Sequence, residues 1–266
     1  MSRRDKPNLT ARVSRVLHRA SLSILALTAL LVGCGTRDAA GPLIPEAQGR
    51  VRFVTLITDT TRGRVDVSLE SVPFGVNLVY GGSTPSSLPA PATAVYSPVL
   101  TGNRSLVLVR TANPATSVTT IPFTAATGAD YTVYATGGAG ASAIAPFITA
   151  DTNAAPATGQ VRVRVVHLAP SAGNVDVFVT AVGADLAAAT PALANFLVRG
   201  AAYLAVAAGT YQVRVVPAGT APAARSVNVA INIASVALGA GSARTIIAAE
   251  NNVGGAPFRF VTLTDR

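Results

Sequence analysis

Sliding this sequence along itself by about 110 residues brings it into register with itself at five places in one order, and that duplication sets the size of the folding unit. Val51-Arg-Phe53 meets Val161-Arg-Val163, and Val65-Asp66-Val67 meets Val175-Asp176-Val177. Tyr96 to Val109 meets Tyr203 to Val216, with Gly102 opposite Gly209. Gly128 to Ala135 meets Gly241 to Ala248, and Pro146-Phe147 meets Pro257-Phe258. The expected organisation is therefore two tandem units, residues 49–151 and 159–266, joined by a linker at 152–158 that reads TNAAPAT.

Inside each unit the apolar period is two. Val161-Arg-Val163-Arg-Val165 and Tyr211-Gln-Val213-Arg-Val215 alternate, which predicts strands with one face on a core and the other in water. Turn signals recur at Pro170 to Asn174, Gly209-Thr210, Pro217 to Gly219 and Gly239 to Gly241. The fold class expected is all-β, two tandem Ig-like β-sandwiches of about seven strands each. Half the residues are apolar, ample for such cores. Two stretches stand apart. Ala184 to Val198 is alanine-rich and predicts a helical turn or two interrupted by Pro191, whereas Val72 to Pro91, crowded with Pro, Gly and Ser, reads as a long loop.

Ahead of the repeat, residues 1–33 have the zones of a lipoprotein signal peptide. Six basic residues from Arg3 to Arg19 precede an apolar run from Ala20 to Val32, which is too short to span a bilayer. Leu31, Val32 and Gly33 then lead into Cys34, the sole cysteine, in the pattern that lipoprotein signal peptidase recognises. A lone exported cysteine cannot form an internal disulfide, and acylation consumes its thiol. Palmitate-type chains on Cys34 imply durable membrane anchorage, since each buried methylene contributes about 0.8 kcal/mol. Gly35, rather than aspartate, follows the lipidated residue and points to the outer membrane of the cell envelope. Residues 34–48, with Pro42 and Pro45, read as a flexible tether.

The net charge of +9 belongs mostly to the leader. From Cys34 onward there are 15 basic and 11 acidic residues, a net of +4, and the arginines are scattered without interleaved aromatics, so nucleic acid is not expected as a partner. His167 is the single histidine beyond the leader. With no G-x-S-x-G motif present, it is expected to close a strand end through a backbone hydrogen bond rather than serve a serine triad. Asp66 and Asp176, each between two valines, are expected to brace the backbone or pair with a strand arginine. A calcium site would need more oxygens, for example from Asp59 or Asn174. Asp130, Asp151, Asp185, Glu250 and Asp265 are isolated in sequence, and a glycosidase pair would have to assemble from them in three dimensions. Arg52, Arg162, Arg164 and Arg214 fall on the outward phase of their strands and read as a solvated, edge-protecting face, or as a stripe for anionic glycans or lipid phosphates. Tyr96 and Tyr203 are expected to bury their rings with the hydroxyl on a backbone group. Gly137-Gly-Ala-Gly140 lacks a following phosphate-binding helix. No catalytic residue, metal or cofactor is expected.

His167-Leu-Ala-Pro170-Ser-Ala-Gly-Asn-Val175-Asp176-Val177, followed by Val206-Ala-Ala-Gly209-Thr210-Tyr211-Gln-Val213, resembles the bacterial surface domain known as domain of unknown function 4397. The resemblance covers both units and is clearer in the second. In the first, Ile57 stands in for the histidine, Asp59 lies near the proline position, and Asn103-Arg104 replaces threonine-tyrosine. The resemblance implies a secreted or anchored Ig-like sandwich without established activity. The expectation is a membrane-anchored, non-catalytic lipoprotein serving binding, adhesion or envelope structure, its partners being the membrane and an envelope glycan or protein. The alternative is an envelope polysaccharide hydrolase or its accessory subunit.

Overall fold

Period-two alternation becomes strands throughout the computed structural model, which describes residues 47–59, 63–85, 95–139 and 143–265. Leu31, Val32, Gly33 and Cys34, with the rest of the leader and nearly all of the predicted tether, lie outside the described residues. From Ala47 onward the chain forms one compact unit. No described helix is long and apolar enough to cross a membrane.

In the first half, β1 (Gln48–Ile57) runs parallel to β8 (Asp130–Gly137). It pairs on its other side with β4 (Ser83–Thr84) and β5 (Ser97–Leu100), and β9 (Ile144–Asp151) lies beyond β8. The opposing sheet has the order β3 (Val72–Leu78), β2 (Val65–Leu69), β6 (Gly102–Arg110), β7 (Asn113–Ala125), antiparallel throughout. The second half repeats this plan. β13 (Ala201–Ala207), β10 (Gln160–Leu168), β16 (Ala243–Ala249) and β17 (Arg259–Thr264) form one sheet, with β10 parallel to β16. β12 (Leu193–Phe196), β11 (Val175–Thr180), β14 (Gly209–Pro217) and β15 (Ile231–Leu238) form the other. Each half is thus a sandwich of four-stranded sheets, with β4 added in the first, rather than the seven strands expected. The stretch 72–91 is not simply a loop, because Val72–Leu78 forms β3. Ala184 to Val198 contains turns and β12 rather than a helix.

Val51, Phe53 and Val133 pack on Val67, Leu106, Leu108 and Ile121 to make the first core. Val163, Val165 and Ile246 pack on Val175, Val177, Val213 and Ile231 to make the second. A third core joins the halves: Val54, Leu56 and Tyr134 meet Val166, Leu168, Ile247 and Leu263. The molecule is therefore four sheets deep, and its two central sheets are covered on both faces, which explains why β1 and β10 are buried almost without interruption.

The strand registers correct two of the sequence alignments. Arg52 pairs with Thr132 and Arg164 with Thr245, so Arg50-Val-Arg52-Phe-Val54-Thr-Leu56 is the counterpart of Arg162-Val-Arg164-Val-Val166-His-Leu168, two residues away from the Val51–Val161 match. Thr55, not Ile57, consequently occupies the histidine position. At the far edge, Ala135 pairs with Pro146 and Ala248 with Phe260, so Pro146 corresponds to Phe260 rather than Pro257.

Candidate functional site

The outward phase of β1 and β10 carries two arginines and then two apolar residues, and both kinds enter the interface between the halves. Arg52 and Arg164 are 1% exposed, which overturns their expected place in water. Arg52 Nε and Nη2 donate to Thr132 Oγ1 at 3.2 and 3.1 Å, and Nη1 donates to the Thr264 carbonyl at 3.2 Å. Its carboxylate partner comes from the other half: Asp265 Oδ1 lies 2.8 Å from Nη2, an ion pair without hydrogen-bond alignment. Arg164 reciprocates by pairing with Asp151 of the first half and donating to Thr245 Oγ1 at 2.9 Å. Each arginine also stands 3.9 Å from the carboxylate of its own half. Burial works against the Arg164 charge, but Tyr134, Asp151 and Asp265 outweigh it and raise the pKa above its ordinary value. The same surroundings act on the Tyr134 hydroxyl, which burial above all pushes up to about 12.

Tyr96 and Tyr203 complete this centre in equivalent places. The Arg52 guanidinium sits 4.7 Å from the centre of the Tyr96 ring, and that of Arg162 4.1 Å from the Tyr203 ring. The Tyr96 hydroxyl donates to Asp151 Oδ2 at 2.7 Å, a side chain where a backbone group was expected. The Tyr203 hydroxyl does meet backbone, accepting from the Thr152 N–H at 2.9 Å. Arg214, also expected in solvent, is 8% exposed beneath the segment joining β11 to β12, where Nη2 donates to Thr180 Oγ1 and to the Ala184 carbonyl.

His167 is 1% exposed at the end of β10, where Nε2 lies 2.7 Å from the Gly173 carbonyl and the ring stacks on Phe196. Nε2 therefore carries the proton. Burial lowers its pKa, and the Gly173 hydrogen bond only partly opposes that. Gly173 adopts φ 65°, a conformation suited to glycine, which aims its carbonyl back at the ring. This is the backbone closure expected of His167.

Asp66 and Asp176 brace the backbone in parallel ways. Asp66 Oδ1 accepts from the Asn77 N–H at 2.7 Å and from Thr111 Oγ1 at 2.6 Å, and Asp176 Oδ1 accepts from the Asn195 N–H at 2.8 Å. Asp130 is bound by Arg50, Glu70 by Arg104, and Asp185 by the Ala187 N–H. Asp59 is also engaged. Asn174 donates its amide to Asn195. Among the described residues, no three of His, Cys, Asp and Glu gather as metal ligands.

Concavity lies at the other end of the stack, where the C-terminal ends of β1, β8, β10 and β16 converge. There the Tyr80 hydroxyl, from the turn after β3, donates to the Glu250 carbonyl of the other half. Burial and the Glu250 charge raise the Tyr80 pKa, against the pull of Arg259. On one side of Tyr80 is a pocket of about 190 Å³ lined by Thr58, Thr136, Val198, Arg199 and Glu250. Glu250 Oε1 accepts from the Ser171 N–H at 3.1 Å, and the Arg199 guanidinium lies 5.2 Å from the centre of the Phe147 ring. On the other side is an open cleft of about 290 Å³ lined by Asp59, Arg64, Val79, Asn252 and Arg259. Apart from Asp59 and Glu250, the sequence reading singled out none of these lining residues, because each stands alone outside any motif.

Residues 49–178 match the family model described as Domain of unknown function (DUF4397), a span covering the first half and the second as far as β11. No curated protein matches the chain. Among solved structures, the chain aligns with one described as a candidate adhesin from Bacteroides ovatus, at 8% identity and a TM-score of 0.18, over 78% of this chain and 90% of the other.

Proposed function

We propose that this protein is a lipid-anchored, non-catalytic module of the cell envelope that binds a partner through the loop end of its four-layer stack. One observation carries the reading: His167 and the described carboxylates are committed to ion pairs, hydrogen bonds or other contacts within the fold, while loops from both halves converge on a shared concavity. That concavity lies at the opposite end of β1 from Gln48, where the chain enters the folded unit. With Cys34 acylated and a short tether leading to β1, the loop end can face away from the membrane surface. Gly35 favours the outer membrane as the site of anchorage.

Labelled palmitate in a lipoprotein-processing host tests the anchor. Wild-type protein is expected to take the label and enter the detergent phase, whereas Cys34→Ala should accumulate as an unlabelled precursor. Equal processing and partitioning of the two would remove the anchor from the reading. Incubation with envelope polysaccharides tests the rest. Release of new reducing ends, lost in Glu250→Gln, would replace the binding module with the polysaccharide hydrolase.

A further inference from the structure

We infer that the cleft beside Tyr80 is a binding site for an acidic saccharide, a hydroxylated ring carrying an oxyanion, held by Arg64 and Arg259. Arg64 precedes β2 and Arg259 opens β17, so each half contributes one arginine to the lining of the same cleft. Other arginines are spent on structure: Arg50, Arg52, Arg104 and Arg164 on carboxylates, Arg214 and Arg225 on backbone carbonyls. Arg64 and Arg259 make no ion pair with a described carboxylate. The cleft lining holds two arginines against one acid, Asp59, so its formal charge is positive.

A guanidinium is a planar fork matched to carboxylate or phosphate oxygens, and two opening on one cleft select for an oxyanion. The remaining walls suit a sugar. Val79 and Tyr80 offer apolar surface to ring C–H groups, and the Asn252 amide can both donate to and accept from hydroxyls. About 290 Å³ accommodates one sugar residue at an open mouth through which a longer chain can pass.

This deepens the binding reading and rests on its choice of the loop end, but lipidation plays no part. Full-length wild type and Cys34→Ala are therefore assayed side by side in detergent, so that failure of the anchor and failure of the site are separate results. The probes are a galacturonate trimer, glucose 6-phosphate and neutral maltotriose, titrated calorimetrically at low and high salt. An acidic probe should bind at least about tenfold more tightly than maltotriose, lose affinity at high salt, and fall at least about tenfold in Arg64→Gln/Arg259→Gln. Arg104→Gln, at the end of β6 remote from the Arg110 end that pairs with Val65, should bind as wild type. Preference for the galacturonate trimer identifies a uronate ligand, and preference for glucose 6-phosphate a phosphorylated one. Hydrogen exchange on wild type gives a readout independent of variant folding: the acidic probe should protect residues 78–82 and 251–259. Failure of both acidic probes to bind at millimolar concentrations, equal binding of maltotriose, an unaffected double variant, or protection elsewhere would each overturn the site.

Discussion

From Cys34 onward every basic residue is arginine, and the centre of the molecule shows what that choice accomplishes. A guanidinium is more weakly hydrated than an ammonium and divides five donors among several acceptors, so Arg52 and Arg164 can be buried with threonine hydroxyls, a backbone carbonyl and carboxylates around them. The sequence placed these side chains in water because alternation marks a second face without saying what covers it. His167 was more legible, since one neutral imidazole beside a glycine-bearing turn has few structural roles. Its pKa lies below 6.5 in the folded protein, so the unfolded chain binds the proton more readily. The stability that His167 contributes is therefore present above pH 6.5 and is lost as pH falls below it. Denaturant midpoints compared across that window should drop more steeply on acidification for wild type than for His167→Gln, and equal slopes would contradict the assignment.

At the scale of the strand, the repeated Val-Asp-Val becomes a device for fixing a bulge. In each half the valines enter the core and the aspartate turns outward to hold the N–H of an asparagine in the neighbouring edge strand. Asn77 and Asn195 have φ of 58° and 46°, and register shifts occur beside both Asp66 and Asp176. Asparagine tolerates this left-handed conformation and a β-branched residue does not. Asn195→Gly should therefore be nearly neutral and Asn195→Val should cost about 1–2 kcal/mol. Asp176→Ala should cost about 1.5–3 kcal/mol for the loss of a charge-assisted bond. Urea unfolding measures all three, and equal losses for Gly and Val would show that the backbone conformation is not what matters. The aspartates were visible in sequence as a repeated motif, but β3 was not. Pro73, Gly75 and two register shifts erase its alternation, and only pairing with β2 makes it a strand.

For the whole molecule, the decisive feature is the interface that turns two sandwiches into four stacked sheets. Its apolar half supplies the driving force, about 1.5–3 kcal/mol for each fully buried large aliphatic such as Val54, Val166 or Ile247. The crossed pairs Arg52–Asp265 and Arg164–Asp151 act mainly on alignment, because the cost of desolvating ions offsets most of their attraction. Arg164→Ala or Asp151→Ala alone should cost about 3–5 kcal/mol by stranding a buried charge, whereas Arg164→Met/Asp151→Leu should lose much less than the sum. Strictly additive losses in denaturant unfolding would show the residues to be uncoupled. The sequence by itself determined that the chain is all-β and built on period-two strands, because alternation and turn chemistry are local properties. The runs Arg50–Leu56 and Arg162–Leu168, RVRFVTL and RVRVVHL, agree at five of seven positions. Only the tertiary structure decided which face of those runs meets water, because the carboxylates that neutralise them end each half, in β9 and just after β17. The cleft at the loop end was likewise settled in three dimensions, since Arg64 and Arg259 share no motif and meet only because the two halves stack with their four inner strands pointing the same way.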